Sequence, residues 1–129
     1  MMTIRSEIES RLAAVAATLS LPVAYENITF IKPVDGNFLE IFFLTSTSLN
    51  RNVSASGYRT RGIFQINCYC PLNIGLGGLD ATVDAIIAAF PVLPKIGTVS
   101  IDEPLSDGPA LIVDASVMIP ITGRYRVEV

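Results

Sequence analysis

The chain has 129 residues, of which half are apolar and 16% charged, and its mean hydropathy is +0.52. That length fits one domain spanning residues 1–129, and a domain this small hides only part of its surface, so the apolar excess belongs in subunit interfaces or in a membrane. A net charge of −3, a pI of about 4.8 and only nine Lys and Arg argue against nucleic acid as the primary ligand, and the absence of histidine removes the commonest neutral-pH acid/base and metal ligand.

Thr3 to Leu19 reads as a helix, because Ile4, Ile8, Leu12, Val15 and Leu19 fall on one stripe. Thr3 can cap it, Ser6 and Glu9 offer a second capping pattern, and Pro22 closes the region. Arg5 and Arg11 ahead of the apolar Leu12–Leu21 stretch give a superficial likeness to a signal peptide. Glu7 and Glu9 interrupt the basic part, however, and the apolar residues keep helical spacing, so a secretory leader is not expected.

Val23 to Phe30 is β-prone and ends before Pro33 and the Asp35-Gly36-Asn37 turn signal. Phe38 to Leu44 reads as a strand apolar on both faces and broken only by Glu40, as expected of a strand held between layers or subunits. Thr45 to Gly57 is polar with no period, which predicts a long loop that a partner would order. Tyr58 to Cys70 then alternates. Tyr58, Thr60, Phe64, Ile66, Cys68 and Cys70 share one face; Arg59, Arg61, Gln65, Asn67 and Tyr69 share the other, with Ile63 as its apolar exception.

The longest uncharged stretch, Gly62 to Leu79, contains Gln65, Asn67, Asn73, Pro71 and four glycines and makes a poor spanning helix, so no membrane is expected. A second helix is predicted from Leu79 to Phe90, with Leu79, Val83, Ile86, Ile87 and Phe90 inward, Asp80 and Asp84 in its N-terminal half, and Pro91 at its end. A short strand Gly97–Ile101, an acidic turn region Asp102–Gly108, a long strand Ala110–Ile119 and an alternating segment Arg124–Val129 complete the order α-β-β-β-α-β-β-β. This is an α+β arrangement: a mostly antiparallel sheet of five to six strands packed with two helices.

No constellation carries catalysis. Gly75, Gly77 and Gly78 before a helix lack the lysine of a phosphate loop, Asp102, Glu103, Asp107 and Asp114 match no calcium-loop spacing, and the serines have neither a histidine nor a G-x-S-x-G elbow. Cys68 and Cys70, two residues apart on one strand face, sit about 6.6 Å apart with parallel side chains, which disfavours a disulfide. With no further soft ligand they cannot complete a zinc site, so reduced, metal-free thiols and no cofactor are expected. Arg51, Arg59 and Arg61 are the only clustered positive charges, next to the long loop. With Glu40 and Arg124 they are the candidates for an interface.

The helix followed by Leu21-Pro22-Val23-Ala24-Tyr25-Glu26-Asn27, the Arg61-Gly62-Ile63-Phe64-Gln65-Ile66-Asn67 strand with Pro71 and Gly75 after it, the helix ending Ala89-Phe90-Pro91 and the closing strand with Pro120 together resemble the phage tail terminator family of long-tailed bacteriophages. The resemblance covers nearly the whole chain. It implies a non-enzymatic structural virion protein forming a ring, usually a hexamer, at the head-proximal end of the tail. Such a ring stops tube polymerisation and offers the head-joining surface. The implied partners are further copies of the chain, the tail tube protein and head–tail connector proteins, with assembly in the host bacterial cytoplasm. The alternative is another connector or tail completion protein, a binding module without length control.

Overall fold

The computed structural model describes the backbone of residues 2–50 and 58–128 and the side chains of residues 4–44 and 60–127. The chain runs through α1 (Met2–Leu19), β1 (Val23–Ala24), β2 (Phe38–Asn50), β3 (Tyr58–Pro71), α2 (Gly77–Ala89), β4 (Ser100–Ile101), β5 (Ser106–Asp107), β6 (Leu111–Val113) and β7 (Ser116–Glu128). The fold is α+β as expected, with seven strands in one mixed sheet ordered β1-β2-β3-β7. The short strands β4, β5 and β6 follow one another along the far edge of β7. Every pairing is antiparallel except β1 with β2.

Both helices pack on the same face. Ile4, Ile8, Leu12 and Ala16 of α1 and Leu79, Val83 and Ile86 of α2 meet Leu39, Ile41, Phe64, Ile66, Cys68, Ile119, Ile121 and Tyr125 of the sheet in one buried cluster. The α1 stripe is completed by Ala16, with Val15 only partly buried beside it, because the small alanine lets the helix lie close to its neighbours. The expected Thr3 cap lies outside the described side chains. Asp80 occupies the first turn of α2, where its charge suits the helix dipole, while Leu76 at the N-cap makes no side-chain cap.

Four readings of the sequence need correction. The strand expected from Val23 to Phe30 stops at Ala24, because Ile28 N–H donates to the Tyr25 carbonyl and Asn27 adopts φ 60°, which turns the chain away. The loop expected from Thr45 to Gly57 is strand as far as Asn50: a β-bulge at Leu44 shifts the register, and Thr45–Asn50 go on pairing with β3. Only residues 51–57 fall between the two strands, and that remainder of the expected loop lies outside the described residues.

The long strand expected from Ala110 to Ile119 is broken into β6 and β7 by a two-residue turn in which Asp114 takes φ 55°. Conversely, the segment Arg124–Val129 is no separate strand. β7 passes unbroken through Pro120 to Glu128. Proline is tolerated there because its carbonyl accepts from Gly108 N–H at 2.8 Å, on the side away from β3. Its missing N–H therefore points to the stretch between β5 and β6, where β7 has no strand partner, and no bond to β3 is lost.

Cys68 and Cys70 are unbridged and buried under the helices. Burial pushes the Cys68 thiol up to about 12 and raises Cys70 as well. Both thiols should therefore resist alkylation in the native protein at pH 8 and react fully, two per chain, once denaturant is added. Fast native alkylation would contradict their burial. Gly123 offers a second check. A Cβ at this position would lie 2.5 Å from Phe64 Cζ, so the aromatic ring occupies the space a side chain would need. Gly123→Ala should destabilise the fold by about 1–3 kcal/mol in urea titrations, against the usual gain from replacing a strand glycine.

Candidate assembly surface

Because both helices lie on one side, the alternate residues of β2, β3 and β7 form a second face that neither helix covers. The register places Glu40 beside Asn67, Tyr69 between Phe38 and Met118, Arg61 between Thr47 and Arg126, and Arg124 beside Ile63. This face divides into two halves of different chemistry.

At the end near the β2 start, a hydrogen-bonded network crosses the strands. Asn67 Nδ2 and the Tyr69 hydroxyl both donate to Glu40 Oε1, at 3.0 and 2.8 Å, and Gln65 Nε2 donates to Asn67 Oδ1 at 2.7 Å. Asn67 is 5% exposed although it lies opposite the helices, so its amide needs these partners. Burial, then the hydrogen bond to Glu40 and its charge, push the Tyr69 phenol up to about 12, so it remains a donor throughout the physiological range. Phe38 stacks on Tyr69 with ring centres 4.4 Å apart, and Phe30 packs against Phe38 at 5.3 Å.

Next to this network lies a cavity of about 420 Å³. It is lined by the aromatic residues Tyr25, Phe30, Phe38, Phe42 and Tyr69 and by the acidic residues Glu26, Glu40 and Asp114. Lys32 Nζ stands 5.9 Å from the centre of the Phe38 ring at the same cavity.

Glu26 also fixes the sheet edge. Its Oε1 accepts from Arg5 Nη1 and from the Phe43 backbone N–H, each at 2.8 Å, while the Arg5 guanidinium lies 4.5 Å from the Phe43 ring centre. One carboxylate thus ties α1 to β2 and satisfies an amide on an edge that β1 pairs only at Leu39 and Glu40. Burial raises the Glu26 carboxyl, but the Arg5 hydrogen bond, the Phe43 N–H and the Arg5 charge outweigh it and hold the group below its ordinary 4.5.

The other half is basic. Arg61 is exposed on β3 directly beside Arg126 of β7. Arg126 is held by Asp102 and Arg124 by Glu103 at 3.3 Å, whereas Arg61 makes no ion pair with a described residue. Arg59 continues the β3 backbone opposite Leu49 and Glu128, with its side chain outside the described set, and Arg51 lies wholly outside the described residues. The five sequence candidates are therefore not one cluster. Arg61 and Arg124 share the basic half, whereas Glu40 anchors the opposite half about six strand residues away, roughly 20 Å.

Exposed aliphatic side chains gather at one end of the sheet. Ile31 and Val34 precede β2, Ile74 follows β3, and Leu111 and Ile112 belong to β6 beside the start of β7. The sequence reading missed this end, as it missed Tyr69, Asn67 and Asp114 as cavity residues. The available signal was the polar run Gln65-x-Asn67-x-Tyr69 facing the lone Glu40 of an otherwise apolar strand. Among the described residues no group of His, Cys, Asp and Glu is arranged to hold a metal ion, and no helix is long and apolar enough to cross a membrane.

A family model described as phage tail terminator protein matches residues 3–125. The chain belongs to the phage tail terminator family. It is a structural protein of the phage tail. One solved chain, known by a serial designation rather than a functional name, superposes with a TM-score of 0.77 at 30% identity, covering 96% of this chain and 92% of that one. A chain from the virion of a native gene transfer agent (GTA) particle shares the fold, with a TM-score of 0.65 at 17% identity and coverage of 95% and 92%. No curated protein sequence matches this chain.

The Glu26 clasp has a definite pH signature. A carboxyl whose folded pKa lies below its unfolded value stabilises the fold above about 4.5, and the contribution fades as pH falls through the lower folded value. The protection of the Phe43 amide, measured against the exchange rate of an unstructured peptide at the same pH, should fall on acidification through that window, and Glu26→Ala should show the lower protection at every pH, with a loss of about 1 kcal/mol. An unchanged Phe43 rate in the variant would remove the clasp.

Proposed function

We propose that this terminator, a single domain spanning residues 1–129, acts without catalysis as a homo-oligomeric ring of six copies that caps the tail tube. The ring ends tube polymerisation at the head-proximal end and presents the surface to which the head–tail connector proteins join. Its partners are other copies of itself, the tail tube protein and those connectors, and it assembles in the host cytoplasm before entering the virion.

Family membership over residues 3–125 carries this reading. Two physical features support it. The open sheet face and the aliphatic rim are surfaces that a lone subunit leaves in water, in agreement with the apolar excess of the composition. The two chemically different halves of the open face suit contacts between unlike surfaces, the kind that closes into a ring when the rotation permits. Arg51, Arg59, Arg61, Glu40 and Arg124 are the proposed contact residues, with Arg61 and Glu40 foremost.

Particles assembled without this protein should carry tails of uncontrolled length that fail to join filled heads, as seen by electron microscopy. Supplying the purified protein to such tails should place a ring at one end and restore joining. Tails of normal length attached to heads in its absence would overturn the capping role. Normal length with failed joining would instead favour a connector without length control.

A further inference from the structure

We infer that the aromatic and carboxylate cavity beside Glu40 receives the Arg61 guanidinium of an adjacent copy of this chain. The inference rests on the ring reading and names the contact that would hold the ring together.

The cavity has the chemistry of a guanidinium receptor. Arginine is recognised by carboxylates that accept its N–H groups and by aromatic faces on which its planar head stacks. Both are present around one space of about 420 Å³, with Tyr69, Phe38, Phe42, Glu40 and Asp114 among its lining residues. Glu40 Oε1 already takes the Asn67 and Tyr69 bonds, which hold the carboxylate in place and leave Oε2 to accept from a newcomer. The chain's own Lys32 ammonium, 5.9 Å from the Phe38 ring centre, marks the position as one that favours a cation. The charge is nevertheless unbalanced. Arg5 offsets Glu26, and Lys32 offsets only one of Glu40 and Asp114, so one further positive charge brings the cavity to neutrality.

The donor is in the complementary condition. Arg61 is exposed beside Arg126, a like charge already committed to Asp102, and Arg61 has no carboxylate partner among the described residues. It cannot reach its own cavity, because Arg61 and Asn67, which lies beside Glu40, are six strand residues or about 20 Å apart. Both surfaces lie on the same open face, so one copy can give its arginine to one neighbour while receiving another neighbour's. An asymmetric pairing of this kind is what a closed ring requires.

The test is a charge exchange, read by how well each variant supplied in trans restores complete particles to a phage lacking the protein. Glu40→Lys alone and Arg61→Glu alone should each reduce the yield at least about tenfold. The double variant, and an equal mixture of the two single variants, should recover most of the loss, because each re-creates opposite charges across every contact. Singles that match the wild type, or a double variant no better than either single, would overturn the inference while the wild-type ring stands. Normal particles in the complete absence of the protein would instead overturn the capping reading. Thermal unfolding of each purified variant checks its fold. Should Glu40→Lys unfold, Asp114→Asn serves in its place, since asparagine tolerates the φ 55° of that turn and the change leaves the Glu40 network intact. It should lower the yield in the same direction, and an unchanged yield would count against the cavity.

Discussion

The strict alternation of β3 sends Phe64, Ile66, Cys68 and Cys70 beneath both helices and leaves Arg61, Gln65, Asn67 and Tyr69 on the opposite side. Since β3 lies between β2 and β7, the two neighbours inherit this division through their register. Leu39 and Ile41 follow the buried side, and Glu40 follows the open one. A slip of one residue would carry the whole apolar set of a strand into water and place arginine and glutamine under α1 and α2, so the register is strongly held. The open face, its cavity and its basic end are consequences of that one division.

The edges of the sheet are managed differently on the two sides. Along β7, three short strands share one long edge, and the interval between β5 and β6 is where Pro120 can omit its N–H without cost. Along β2, two paired residues of β1 and the Glu26 carboxylate stand in for a full strand. The remaining β2 edge, toward Asn50, has no strand partner among the described residues. In a lone subunit such an edge is a liability, and the polar Thr45–Asn50 sequence limits the damage by offering little apolar surface to a chance partner.

The helices and the core face of β3 were legible in the sequence because periodic burial writes itself into residue order. The Leu79–Phe90 stripe and the even-numbered residues of β3 sit where their spacing puts them. Three failures share a different cause. Thr45–Asn50 is strand despite its polar composition, because pairing with β3 supplies the backbone bonds that composition cannot announce. Pro120 looked like an end of β7 and is passed through, since what matters is which side its absent N–H faces. Asp114 was expected inside the strand Ala110–Ile119 and is a turn residue that also borders the cavity. Of the candidate site, the arginines and Glu40 were visible as charges on a strand. That Arg61 and Glu40 stand at opposite ends of one face depends on the register, which only the fold supplies.

That separation bears on how a terminator subunit can wait in solution before the proposed ring forms. A wholly apolar open face would drive association at once and without selectivity, whereas a polar face with satisfied hydrogen bonds costs little to leave in water. Asn67 and Tyr69 have their partners within the subunit, so no buried amide or phenol forces premature contact. The unbalanced charges, Arg61 at one end and the carboxylates at the other, attract over a distance and reject a wrongly turned neighbour. Part of the exposed apolar surface lies on the rim formed by Ile31, Val34, Ile74, Leu111 and Ile112, where it can strengthen a contact once charge has set its orientation. A subunit built this way gains selectivity from electrostatics first and affinity from burial second. For a subunit that, on the proposed reading, assembles at the tip of a tail rather than wherever two copies collide, that order has a physical advantage.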